Sequence, residues 1–200
     1  MERVSKRASE LSGLIAEFPT RKIEVINGDA NDVIIRLCDK TDWRSSRGVV
    51  FLDPYGLQVS WNTLVSVAKT KAIDAWILFP SGLGLNRLLT KSGDIPIEWQ
   101  ETLDRCLGTK EWRSAFYREE DIADLFEGVR TKKTKDADRA KLEKFYLDRL
   151  KSIFPIVMDG NVRLTNSKDQ TMYLLCFVSA NPSEKVRKLA GTLASWAAKA

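Results

Sequence analysis

The stretch Arg47-Gly48-Val49-Val50-Phe51-Leu52-Asp53-Pro54-Tyr55-Gly56 constrains the fold more than any other part of the chain. Apolar residues run without interruption from Val49 to Leu52, after a glycine and before a sharp break. A run of this kind reads as a strand buried on both faces, the habit of parallel sheets in α/β proteins. Asp53 then stands at the carboxyl end of the strand, the edge at which open α/β sheets bind ligands. Pro54 fixes one backbone angle and Gly56 tolerates unusual ones, so the chain turns sharply there. Asp-Pro-x-Gly is equally the pattern of an ordinary type I turn. A turn residue and a functional carboxylate are therefore both open readings of Asp53.

The segments around this strand alternate. Residues 2–18 read as a helix with Val4, Ala8, Leu11, Ile15 and Phe18 on one stripe, stopped by Pro19. Lys22 to Asn27 reads as a strand ending in Asn27-Gly28-Asp29-Ala30-Asn31, where Asp29 or Asn31 caps a helix carrying Val33, Ile34, Leu37 and Cys38. After the central strand, Ser60 is the expected cap of a helix over 61–71, and Ile73 to Phe79 forms another apolar strand broken by Pro80. Strands ending at Asn27, Leu52 and Phe79 with helices between them predict a parallel sheet with right-handed crossovers.

Residues 81–136 change character. Ser81-Gly82-Leu83-Gly84-Leu85 has neither a dinucleotide fingerprint nor a Walker lysine, so it reads as a loop. Helices are expected at 84–90, 97–107 and 119–128, and the segment as a whole reads as a helical insertion or lid within one domain spanning 1–200. Residues 138–154 form the clearest helix, with Leu142, Phe145, Tyr146, Leu150 and Ile153 on one side. Ile156–Met158 and Met172–Val178 are expected to form a terminal hairpin. The last helix has Asn181, Pro182 and Glu184 as its starting signals.

Composition removes several chemistries. The chain has no histidine, so Ser-His and Cys-His nucleophilic sites and imidazole metal sites are excluded. The three cysteines, Cys38, Cys106 and Cys176, lack metal-ligand spacing and read as buried free thiols in a reducing compartment. No run approaches the ~20 apolar residues of a membrane span. The chain is expected to be cytoplasmic, without a membrane partner. The net charge is +5, and residues 128–151, with nine Lys/Arg and four Asp/Glu, carry an excess of that same size. Lys132, Lys133, Lys135, Lys141, Lys144 and Lys151 are thus candidate nucleic-acid contacts. The competing reading is a solvated face laced with Asp136, Asp138, Glu143 and Asp148.

Parallel strands followed by a C-terminal antiparallel hairpin resemble the back half of a Rossmann-like methyltransferase. More narrowly, Asn27-Gly28-Asp29-Ala30-Asn31, Phe51-Leu52-Asp53-Pro54-Tyr55-Gly56, Trp61-x-Thr63-Leu64 and Ala68-x-Thr70-Lys71-x-x-Asp74 resemble the three-Cys-motif partner family, well over residues 2–80 and loosely beyond. The resemblance implies that Asp29 and Ala30 flank the adenine of S-adenosylmethionine and that Glu2 meets its ribose. It also implies that Asp53, Pro54 and Tyr55 form an amino-group methyltransferase motif, usually Asp-Pro-Pro-Tyr. In that chemistry a carboxylate and a carbonyl accept both N–H bonds of an exocyclic amine, localising its lone pair, while an aromatic ring stacks on the base. One proline is missing here, and the ring comes one position early. The strand and glycine-rich loop that open such folds, and the strand after them, do not precede Glu2. The expectation is an N-terminally incomplete sheet, little or no cofactor binding, and no turnover in this short form. A bare strand edge would then invite a protein partner. A non-catalytic nucleic-acid-binding or partner module on the same fold is the alternative. A carboxylate metal hydrolase using Asp29 and Asp53 is a weaker third, because no further clustered ligand accompanies them.

Overall fold

The computed structural model describes residues 1, 4–82, 84–124, 128–158 and 162–197. Helices α1 (Ser5–Leu14) and α2 (Ala30–Lys40) precede strand β1 (Gly48–Leu52). Helix α3 (Trp61–Lys69) crosses from β1 to β2 (Ile73–Phe79), which lies parallel to β1 with Gly48 opposite Ile73. The Ser60 hydroxyl caps α3 by accepting from the Thr63 N–H at 3.2 Å, as the sequence predicts. Ile73, Ala75, Ile77 and Phe79 of β2 are buried, with the residues between them half-buried.

Three short helices follow, α4 (Gly84–Leu88), α5 (Ile97–Leu107) and α6 (Trp112–Phe116). The helix expected at 119–128 is absent. In its place strands β3 (Tyr117–Asp124) and β4 (Gly128–Lys135) pair as an antiparallel hairpin. Its register sets Glu119 opposite Lys133 and Glu120 opposite Lys132, and opposite-charge pairs across strands stabilise a ladder. Helix α7 (Arg139–Lys151) is capped by Asp138, which accepts from the Lys141 N–H at 2.8 Å. Strands β5 (Ile156–Val157), β6 (Val162–Thr165) and β7 (Thr171–Ser179) and helix α8 (Glu184–Ala197) complete the chain. Helix α8 begins after Pro182, because the Asn181 side chain accepts from the Ser183 N–H and turns the chain first.

The sheet order is β1-β2-β7-β5, with β6 also on β7. Strand β7 is antiparallel to β2, β5 and β6, so β5 runs in the direction of β1 and β2. The architecture is α/β with a mixed sheet, and the expected terminal antiparallel pairing is present. The predicted strand at 22–27 is not. Lys22 to Ile26 joins no sheet, and Ile23 is 44% exposed. Asn27, the last residue of that stretch, makes a single bridge, and among the described residues Lys22 to Ile26 forms no ladder. β1 therefore ends the sheet, with β2 as its one partner among the described strands.

A second correction concerns β1 itself. Only one of its faces is covered: Leu52 is buried, whereas Val49 and Phe51 are 72% and 60% exposed. The stripe of α1 is likewise open, with Val4, Leu11 and Phe18 exposed and Ala8 buried. The main core lies on the other side of the sheet. Leu64 and Val67 of α3, Leu103 and Leu107 of α5, Trp112 and Phe116 of α6, and Leu142 and Leu150 of α7 meet β2 and β7 there. Phe79 stacks on Tyr146 with ring centroids 3.7 Å apart. Helices α5 and α6 thus belong to this core.

Candidate functional site

The carboxyl end of β1 carries the candidate rim. Asp53 is exposed, Tyr55 is 89% exposed, and Gly56 takes φ +66° to turn the chain back. That positive angle is one that glycine adopts without strain. Leu57 then re-enters the core. Beneath the rim, Pro54, Leu57, Phe79, Cys106 and Tyr146 leave a space of about 10 Å³, the size of a single water at most. Among the described residues that space is too small for a base, so the rim is a surface feature.

Asp29 begins α2. Its Oδ1 accepts from the Asn31 N–H at 2.9 Å and from Asn31 Nδ2 at 3.1 Å. Ala30 is the first residue of α2 and is exposed. Glu2, the expected ribose contact, lies outside the described residues. Asn31 is the residue that sequence reasoning undervalued. Its Nδ2 also donates to the Gln58 carbonyl at 3.0 Å, while its Oδ1 accepts from the Ser60 N–H at 2.9 Å and the Thr63 hydroxyl at 2.7 Å. One amide side chain thereby ties the start of α2 to the loop that leaves Asp53 and to the start of α3. The Asp29 turn and the Asp53 rim come to the same region, but the Asp29 carboxylate works as a helix cap. Among the described residues no group of three Cys, Asp or Glu side chains is arranged to hold a metal ion.

The candidate nucleic-acid lysines divide between β4 and α7, and most have partners within the chain. Lys133 lies 3.5 Å from Glu119 and over the Tyr117 ring at 5.5 Å. Lys135 donates to Asn86 Oδ1 and is partly buried, which lowers its pKa by desolvation. Lys141 pairs with Asp136 at 3.1 Å, and Lys144 pairs with Asp148 one turn on. The hydrogen bond from Lys141, with the charge of Arg118, holds the Asp136 carboxyl below its usual value. Lys132 and Lys151 are exposed. Asp136 and Asp148 lace these lysines as the reading of a solvated face expects, more closely than a continuous cationic face would allow, whereas Glu143, which that reading also placed there, is buried.

The three thiols are buried and unpaired. Burial pushes Cys106 up to about 12 and Cys176 higher still, so neither is a nucleophile. A cleft of about 370 Å³ opens at the other end of the parallel pair, between Arg47, Val49, Asp74, Asn181 and Val186. The Asp74 carboxylate accepts from the Ser179 hydroxyl, which in turn accepts from the Asn181 N–H at 3.1 Å. No helix among the described residues is long and apolar enough to cross a membrane. No family model, curated protein or solved structure matches the chain.

Proposed function

We propose that this chain is a methyltransferase-related α/β protein of the three-Cys-motif partner kind, cytoplasmic, whose working surface is the rim Asp53-Pro54-Tyr55. Its ligand in this reading is an exocyclic amine of a nucleobase or nucleic acid. The carrying observation is that Asp53 and Tyr55 are exposed at the carboxyl end of β1, while Asn31 holds the Asp29 turn against the loop that leaves them. Ligands of open α/β sheets collect at that edge. The strand directions add support: β1, β2 and β5 run one way, and the C-terminal β7 runs the other way between β2 and β5. Asp53 would accept N–H bonds from the amine and Tyr55 would stack on the base, with Asp29 and Ala30 on the adenine side of S-adenosylmethionine. Cofactor binding is expected to be weak, because Asp29 Oδ1 already serves two Asn31 donors and the space under the rim is filled. Calorimetry with S-adenosylmethionine tests this. Saturable heat that weakens in Asp29→Asn, which keeps a capping oxygen, supports the reading. No heat at millimolar cofactor, either from this chain or from one extended by the strands that open such folds, overturns it.

A second reading, a protein-partner module on the same fold, is favoured by one observation. Val49 and Phe51 are large, apolar and exposed on a strand whose outer edge has no described partner. Such edges template pairing with another chain.

A further inference from the structure

We infer that β1 pairs edge to edge with β1 of a second copy of this chain, antiparallel about a two-fold axis at Val50. The inference rests on the second reading above and names its partner.

The backbone sets which residues take part. The Gly48 N–H donates to the Ala72 carbonyl at 3.1 Å, so the polar groups of Gly48, Val50 and Leu52 face β2. Backbone groups alternate along a strand, so those of Val49 and Phe51 face the open edge, and the flanking Arg47 and Asp53 take the next places in the same alternation. Pro54 has no N–H and ends the run. The side chains of these same four residues share the uncovered face, and all four are exposed. The strand carries neither lysine nor proline, the usual protections of an edge.

The register follows from this order. Antiparallel partners that exchange both N–H···O bonds must present outward groups on both strands. A two-fold axis at Val50 meets that condition: Val49 lies opposite Phe51, Phe51 opposite Val49, and Arg47 opposite Asp53 at each end. An aromatic side chain against a β-branched one and a cation against an anion are both favourable cross-strand pairs. The sequence Arg-x-Val-x-Phe-x-Asp is thus complementary to itself in reverse, which a C2 interface requires. Asp53 has no ion-pair partner among the described residues, and Arg47 reaches only the Trp43 and Ser46 carbonyls. Pairing supplies each with an opposite charge. It also sets Arg47 of the second copy beside Asp53, so the rim of one copy is completed by the other.

The test is sedimentation velocity on the full chain over a range of concentrations, with circular dichroism to check folding. The unmodified chain is expected to show a reversible monomer–dimer equilibrium. Arg47→Asp alone sets Asp opposite Asp, and Asp53→Arg alone sets Arg opposite Arg. Each is expected to raise the dissociation constant at least about tenfold, since like charges now face each other at both ends. Mixing the two variants restores opposite charges at both ends and is expected to give a heterodimer. A dimer indifferent to both reversals uses another surface and overturns the inference. A chain monomeric at every concentration also overturns it. Hydrogen exchange at the Val49 and Phe51 amides then separates the two readings. Fast exchange leaves the edge open to a different protein, whereas slow exchange in a monomer shows the edge covered from within and removes the second reading too.

Discussion

Replacing Arg163 with Met should destabilise the chain by about 2 kcal/mol through a carboxylate that it never touches again. Glu143 projects from α7 into the core and is 4% exposed. Its Oε2 accepts from Arg163 Nε at 3.1 Å and Nη2 at 2.8 Å, and its Oε1 accepts from the buried Ser81 hydroxyl at 2.9 Å. Removing one partner of a buried pair costs roughly 3–5 kcal/mol, because the remaining charge is left without compensation. Two facts lower the figure here. The Arg163 side chain is 56% exposed, so water already screens the pair and can enter where the guanidinium was. The Ser81 bond also survives. Glu143→Gln combined with Arg163→Met removes the charge and keeps an oxygen for Ser81, so the double variant should be more stable than Arg163→Met alone. Equilibrium urea unfolding, followed by tryptophan fluorescence, reads both changes as midpoint shifts at constant slope. If Arg163→Met lies within about 0.5 kcal/mol of the unmodified chain, as a neutral surface substitution would, the argument fails. It also fails if the double variant is no better than the single one.

Asp104 gives a pH dependence. Burial pushes its carboxyl up, but bonds from Arg113 and from Trp112 Nε1 at 2.7 Å outweigh that and hold it below the usual value. A depressed folded pKa contributes stability above the unfolded value that is lost as pH falls through the folded one. Urea midpoints should therefore drop more steeply below about pH 4 in the unmodified chain than in Arg113→Met. Gly108→Ala should cost about 2–4 kcal/mol, because φ is +65° and the new Cβ would lie 2.1 Å from Trp61, whose ring is pinned under Arg149. Thermal unfolding measures it, and a shift of less than about 2 °C would refute the clash.

Local signals carried a good part of this fold. The Ser60 cap, the apolar strand β2 and the inward stripe of α7 are properties of contiguous residues, and each stands where its pattern puts it. The misses depend on what lies alongside. Lys22 to Ile26 has a strand's composition but, among the described residues, no neighbour to share a ladder with. Residues 117–135 run from an acid-rich half into a basic half, a pattern that does not by itself separate a helix from a hairpin, and the decision falls to cross-strand pairs such as Glu119 with Lys133. Asn31 read as one of two possible caps, because its bonds to Gln58, Ser60 and Thr63 join residues far apart in sequence.

The central strand shows how such a misreading can itself inform. A four-residue apolar run follows from burial on both faces, since a solvated face ordinarily alternates with polar residues. In β1 the inner residues Val50 and Leu52 have the cover that the run implies, and the outer residues Val49 and Phe51 do not. The pattern therefore describes an environment that the described residues supply only in part. Phe51 is a poor choice for open water, and on an unpaired edge it adds to the hazard of uncontrolled association. Its presence between Arg47 and Asp53, on the face bearing Val49, is consistent with an edge meant to be met. The charges at the two ends fix the register, and the apolar pair between them supplies the buried surface. Fidelity of pairing in such a design depends on the charges, whereas its strength depends on Phe51.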